Sequence, residues 1–399
     1  MAGSKKTVLD GILNSELLQD VLSLRRELHR HPELGWNEHG TQKLLADWLS
    51  ARGLKPQRTA KTGLYVDVGE GTPTFVYRGD IDALPICEEP PPGAEGAVSL
   101  TPGVSHACGH DLHASIAAGL ALALSRRPDR GARALRFVFQ PAEEVFPSGA
   151  EAMIQEGLLE GVRGALALHC DPSRDVGTVG LRLGALTATS DGINVDILGQ
   201  GGHAARPHLA CDAIQASAEI VQALNGLMAR QKDPLEPGVL SICTIEGGTA
   251  PNVIADRVEM RGTLRTFGAE SREYLQEEIG RVASLAAALH RCTAAVSFVR
   301  GAPTVTNDSG LHELMVKAAR DTVGSSRMDF VDRPSTGAED FGYFSAEVPT
   351  YMMRLGVHTP GTDIHHLHTA QFHADEGAVE VALRVMSRAL VYALDSEGS

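Results

Sequence analysis

Apolar residues recur at helical spacing between positions 17 and 28, and the run meets His29-Arg30-His31-Pro32, where proline stops a helix. The same spacing predicts a second helix over 40–52. The period then shortens. Residues 64–68 and 74–78 read as strands, the second feeding Gly79-Asp80-Ile81-Asp82-Ala83-Leu84-Pro85, while proline and glycine make 88–103 a loop. Residues 114–125 are apolar nearly all round, so the helix expected there is buried on every side. Two further strand-like runs, 135–140 and 165–168, complete an alternation of strands and helices up to about residue 185. That alternation predicts an α/β fold with a largely parallel sheet.

The middle of the chain has another rhythm. Strands are expected at 193–198, 239–246, 257–267 and 294–300, with helices at 212–230 and 270–290. The order β-α-β-β-α-β is that of the ferredoxin-like unit, which is complete in itself. An inserted domain is therefore expected at 187–301, with the first domain formed by 1–186 and 302–399. Helices around 311–323 and 376–394 would cover the same sheet.

Composition narrows the function classes. A chain of 399 residues that is 43% hydrophobic and 22% charged is an ordinary globular protein, long enough for two domains. Its net charge of -14 argues against nucleic acid and against an anionic membrane surface as partners. Residues 1–20 lack the continuous apolar core of a signal peptide, and no apolar run reaches transmembrane length. Six scattered cysteines read as reduced side chains and not as a disulfide framework, so a cytoplasmic setting is the expectation.

The candidate chemistry centres on Ser105-His106-Ala107-Cys108-Gly109-His110-Asp111-Leu112-His113, just before the buried helix. Glu143-Glu144 follows the strand run 135–140, and His169 ends the run 165–168. Ligands of an open parallel sheet gather outside the carboxyl ends of its strands, so these side chains are expected to converge. Thiolate, imidazole and carboxylate together suit zinc or a neighbouring first-row metal. Taken alone, Cys108 reads equally as a small buried hydrophobe, and a Glu-Glu pair as solvated surface. Cys108 near histidines is also compatible with a cysteine nucleophile, which would leave Glu143, Glu144 and His169 without a task. A non-catalytic metal-binding protein of the same fold would be signalled by a missing ligand or base, and none is missing. Gly199–Gly202 has no following Lys-Ser/Thr, which disfavours a phosphate-binding loop.

The motif series Ser105–His113, Gln140-Pro141-Ala142-Glu143-Glu144, Leu168-His169, Gly201-Gly202-His203-Ala204 and Leu367-His368 resembles that of the M20 metallopeptidase superfamily. Its nearest branch is the amidohydrolases of N-acyl amino acids, hippurate and auxin conjugates. The resemblance runs from Arg25 to about Ala378. It implies a zinc-peptidase-like catalytic domain holding one or two zinc, manganese, cobalt or nickel ions, and a lid domain through which a homodimer forms. Carried over by position, it makes Cys108, His110, Glu144, His169 and His368 the metal ligands and Glu143 the general base. His203 becomes a donor to the reacting centre, often from the partner subunit, and Asn252 and Arg265 hold the substrate carboxylate. Asp82 reads as a residue orienting a ligand or as a turn former before Ala83-Leu84-Pro85, and Arg265 alternatively as a surface strand charge. The implied reaction is hydrolysis of the amide of an N-acyl amino acid, with a metallo-dipeptidase or aminopeptidase as the alternative.

Two departures stand out. The branch usually carries a glycine run after its two glutamates, whereas Val145-Phe146-Pro147-Ser148 intervenes here. The wider superfamily has His-x-Asp where this chain has Asp80-Ile81-Asp82, so that histidine ligand is missing and Cys108 is expected to supply a bridging thiolate instead.

Overall fold

Asn14 starts the first helix, its side chain accepting the backbone N–H of Leu17 at 3.0 Å. Helix α1 (Ser15–Arg30) then buries Leu17, Val21, Leu24 and Leu28 along one face. The structure, a computed structural model, describes residues 9, 11–90, 98–127 and 134–396; the middle of the expected 88–103 loop, residues 91–97, lies outside them. The chain divides into two compact units. One comprises Met1–Leu186, Val305–Arg333 and Tyr343–Ser399, and the other Thr187–Thr304 with Pro334–Gly342. No described helix is long and apolar enough to cross a membrane.

In the first unit α2 (His39–Ser50), β1 (Gln57–Thr59), β2 (Gly63–Val68) and β3 (Pro73–Asp80) lead to α3 (His110–Ser125). Then follow β4 (Ala134–Gln140), α4 (Gly149–Gln155), β5 (Gly164–Asp175), β6 (Val179–Leu181) and β7 (Gly184–Ala185). Helix α3 has no polar face, since every residue from His110 to Leu124 is buried. It is enclosed closely. A Cβ added to Gly119 would stand 2.7 Å from Val21 of α1, and one added to Gly79 at the end of β3 would stand 2.7 Å from the His113 carbonyl oxygen. Gly79 lets β3 and α3 meet backbone to backbone, and Gly119 leaves room for the Val21 side chain of α1.

The second unit contains β8 (Asp191–Leu198), β9 (Gly202–His203), α5 (Ala213–Arg230), β10 (Gly238–Gly247), β11 (Val253–Ile254), β12 (Arg257–Thr266), α6 (Ala269–Leu289) and β13 (Thr293–Arg300). Its four-stranded antiparallel sheet has the order β10-β12-β8-β13, the ferredoxin-like arrangement. Ile193, Val195 and Ile197 alternate inward from β8 to meet Ile220 and Leu224 of α5 and Ile279 of α6 in one core. Asp191 at the start of β8 accepts from Arg272 and from Gly301 N, which draws the two ends of the unit together. Pro334–Gly342 belongs here as well, with Ala188 N donating to Gly337 O at 3.0 Å. The apolar pattern of the chain gave no sign of that return.

The first unit is completed by β14 (Thr306–Asn307), α7 (Ser309–Val323), β15 (Met328–Phe330), β16 (Thr350–His358) and α8 (Gly377–Ser396). Its ten-stranded sheet follows β1-β2-β4-β3-β5-β16-β14-β7, with β6 and β15 off that path. The inner pairs β3–β4, β3–β5 and β5–β16 are parallel. Two features differ from the expected pattern. Strand β16 is new, a buried run through Tyr351, Met352, Met353, Leu355 and Val357 that pairs along β5. Because β16 supplies hydrogen bonds whatever side chains lie opposite, β5 outlasts its apolar run and continues to Asp175. His169 therefore stands within the strand, opposite Arg354, and not at its end.

Candidate metal centre

The ligand-bearing segments leave the sheet on β3, β4 and β5 and enter α3. Gly109 caps α3 in the left-handed region at φ 81°, and a Cβ on it would stand 2.7 Å from Cys170 Sγ. Only glycine fits both the torsion and the space. That turn makes Cys108 the last residue of the loop but one and His110 the first of the helix.

His110 and His169 are each oriented by the nitrogen that faces away from the centre. His110 Nδ1 lies 2.9 Å from Asp82 O and 3.2 Å from Asp82 Oδ1, so Nδ1–H donates and Nε2 is left bare. His110 Nε2 is buried and makes no hydrogen bond among the described residues. His169 Nδ1 donates to Cys170 O at 2.8 Å, which frees its Nε2, 3.5 Å from Cys108 Sγ. His368 Nε2 approaches from the other side, 3.3 Å from Cys108 Sγ and 3.1 Å from Glu144 Oε1. Glu143 Oε2 and Glu144 Oε1 each lie 4.0 Å from His110 Nε2.

Three groups of ligand atoms, each within 4.8 Å, overlap here: Cys108, His110 and His169; Cys108, Glu144 and His368; and His110, Glu143 and Glu144. Cys108 belongs to the first two, so its thiolate would be the group common to two ions if both were bound. Buried thiol, imidazole and carboxylate donors with a bare His110 Nε2 among them fit first-row divalent metals, and the overlap fits a pair. Charge agrees. Burial opposes a protonated His110 ring, but the Asp80 carboxylate beside it outweighs burial and raises its pKa, so a proton competes with a metal ion for Nε2. The surroundings thus favour a cation. Burial also pushes the Cys108 thiol well up, the reverse of what a free nucleophilic thiolate needs, whereas a bound metal ion deprotonates a coordinating thiol outright.

Two strained residues present candidate ligands. Ala142 has φ 51° and His368 φ 62°, left-handed conformations that non-glycine residues hold only when neighbours fix them. Ala142 N donates to the buried Glu38 Oε1 at 2.8 Å, and Thr62 Oγ1 donates to Glu38 Oε2 at 2.6 Å. His368 N donates to Ala107 O at 2.9 Å, tying the His368 segment to the one that carries Cys108.

Glu38 was missed in the sequence, and so was a second buried set. Asp80 pairs with Arg78 and accepts from His113 Nδ1 at 2.6 Å. His113 Nε2 in turn accepts Cys170 N at 3.0 Å, which fixes that ring as neutral with its proton on Nδ1. Where the wider superfamily has a histidine ligand, Asp80 is thus a link between β3, α3 and β5. No residue spacing announces these contacts.

The remaining candidates lie in the second unit. His203 pairs with Val253 across β9 and β11, and Ala204 N donates to Asn252 O at 3.0 Å, so His203 and Asn252 are neighbours at an exposed groove. His203 Nδ1 accepts Ala205 N at 3.0 Å, leaving Nε2–H as the outward donor. That groove includes Arg257 and Glu259 at the start of β12. Arg265 lies eight residues further along the strand, roughly 25 Å from Arg257, and donates to Thr189 O at 3.4 Å. One chain does not bring Arg265 to His203 and Asn252.

Residues 76–392 match the profile of peptidase family M20/M25/M40, and the chain belongs to that family. It is 36% identical to the N-acetyl-L-cysteine deacetylase of Bacillus subtilis over 96% of this chain and 90% of that protein. It is 37% identical to the N-acetyldiaminopimelate deacetylase of Halalkalibacterium halodurans over 91% of this chain and 96% of that one. A solved dinuclear metal-binding peptidase of the M20 family from Bacillus subtilis is 31% identical, with a TM-score of 0.81 over 96% of this chain and 99% of the other.

Proposed function

We propose that the chain is a divalent-metal-dependent amidohydrolase that cleaves the amide of N-acyl amino acids, releasing a carboxylic acid and an amino acid. The observation that carries this reading is the overlap of ligand groups around Cys108, with the Glu143 carboxylate at their edge. Cys108, His110, Glu144, His169 and His368 would hold one or two ions, zinc or manganese before cobalt or nickel. A bound ion of this kind polarises a carbonyl and lowers the pKa of a water to about 7.

The residues divide the remaining work. Glu143, 4.0 Å from His110 Nε2 and next to a ligand, is placed to take a proton from the attacking water and deliver it to the leaving amine. Asp82 keeps His110 in the tautomer with a bare Nε2. His203 would donate its Nε2–H to the charge developing on the substrate carbonyl oxygen, while Asn252 and Arg265 hold the carboxylate. The strand length between Arg265 and the His203–Asn252 groove supports a homodimer in which one subunit supplies the pair and the other the arginine. The named activities of the two deacetylase relatives support N-acetyl amino acids as substrates.

The test is a panel of N-acetyl, N-benzoyl and indole-acyl amino acids beside simple dipeptides, assayed after chelation and after return of zinc, manganese or cobalt. Hydrolysis of N-acyl amino acids that is lost on chelation and restored by metal is the expected result. Preference for dipeptides would favour the dipeptidase reading. Activity that survives chelation but not thiol alkylation would replace the metal by a Cys108 nucleophile.

A further inference from the structure

We propose that Val145 and Phe146, beside the segment that carries Gly35 and Trp36, form an apolar wall of the substrate site that selects a bulky apolar group on the substrate over a small one. This rests on the reading of the chain as a hydrolase of N-acyl amino acids and names the part of the molecule that sets its preference.

The wall begins one residue beyond Glu144. Phe146 is 58% exposed and Val145 37%, a cost in hydration that a loop free to turn would avoid. This loop is not free. Its first end is fixed by Ala142 at φ 51°, and Gly149 N donates back to Ala142 O at 3.1 Å. Its far end is fixed by Trp36, whose indole N–H donates to Pro147 O at 2.8 Å, and by Ser148, which caps α4. Trp36 is itself held at φ 65°.

The opposing segment is equally fixed and equally close to the chemistry. Ala83 N donates to Glu33 O at 2.8 Å, and Leu34 bridges Ala83, so residues 33–36 run beside Asp82. A Cβ added to Gly35 would stand 2.7 Å from Val145 Cγ2 and 3.4 Å from Asp82 Oδ2. The breadth of one glycine therefore separates an exposed valine from the carboxylate that orients His110. Exposed apolar side chains held rigidly beside a reaction centre bind apolar ligand groups without a further ordering penalty.

The experiment compares wild type, Phe146→Ser and Phe146→Leu, each loaded with metal. One arm varies the acyl group from acetyl through butanoyl and hexanoyl to benzoyl on a single amino acid; the other varies the amino-acid side chain from alanine to leucine to phenylalanine under a constant acetyl group. Wild type should favour the larger group in one arm, and that arm names the part of the substrate the wall receives. Phe146→Ser should reduce the large-to-small ratio of kcat/KM about tenfold, and Phe146→Leu should retain most of it. Calorimetric binding of both series to Glu143→Gln, with and without Phe146→Ser, reads the same ratio without turnover. Absence of turnover in wild type with an intact binding ratio would count against the hydrolase reading alone. Ratios in both arms that Phe146→Ser leaves unmoved, or equal losses for every ligand, would overturn the wall and assign the exposed pair to contact with another chain.

Discussion

Asp82 grips His110 and Glu144 with one carboxylate: Oδ1 lies 3.2 Å from His110 Nδ1, and Oδ2 accepts Glu144 N at 2.9 Å. Two of the proposed ligands on different elements, α3 and the turn after β4, are thereby set by a residue that need not touch metal. The turn-forming alternative for Asp82 accounts for neither contact.

Replacement of Asp82 by asparagine keeps the shape and the acceptor oxygen but removes the charge that holds the His110 proton on Nδ1. Metal affinity should fall about 10- to 100-fold, the usual effect of losing such an outer carboxylate. Calorimetric titration of the apo-protein with zinc reads it directly. An unchanged affinity would mean that His110 is held by the Asp82 carbonyl alone, 2.9 Å away.

A second expectation concerns pH and a site behind the centre. His29 is buried between Asp111, 2.9 Å from Nδ1, and Glu88, 2.8 Å from Nε2. Burial works against its charged form, but the Asp111 charge and the hydrogen bonds to both carboxylates outweigh it and raise the pKa to about 9. A raised value means that the protonated ring stabilises the fold. That contribution, on the order of 3 kcal/mol, is complete below about pH 6.5 and is lost as pH rises through about 9. Denaturation midpoints measured from pH 6 to 9.5 should fall across this window in wild type and stay nearly level in His29→Gln. Parallel curves would remove His29 as the source.

Assembly of the site across subunits can be examined by mixing. In the proposed homodimer, His203→Ala and Glu143→Gln subunits should each turn over poorly on their own, while exchanged heterodimers regain one site with both groups and therefore activity above either parent. If verified exchange yields no gain, His203 acts within its own chain or not at all.

Much of the candidate centre was legible in the chain because its residues sit in short motifs on or just after strands, although His169 lies within β5 and not at its end. Cys108, His110, Glu143, Glu144 and His169 could be nominated from residue type and placement. His368 could not. It shares its neighbourhood with His365, His366 and His373, and its side chain is 51% exposed in the structure, so only the motif resemblance singled it out. Strand β16 escaped because Tyr351-Met352-Met353 lacks both β-branched residues and alternation; its place in the sheet is set by pairing along β5, far off in sequence, with α8 packed on it. Glu38, Asp80 and His113 act through partners on other elements. Ala142, for example, lies 104 residues from Glu38. Such long-range hydrogen bonds have no periodic trace.

The central claim, hydrolysis at a metal centre with Glu143 as base and Glu144 as ligand, is tested most directly by measuring bound metal and turnover on the same preparations of wild type, Glu143→Gln and Glu144→Gln. Glu143→Gln should retain the wild-type metal content and lose about 10²- to 10⁴-fold in kcat. Glu144→Gln should lose metal, since its Oε1 stands 3.1 Å from His368 Nε2 within the ligand cluster. Equal loss of metal from both variants, or Glu143→Gln turning over at the wild-type rate, would contradict it.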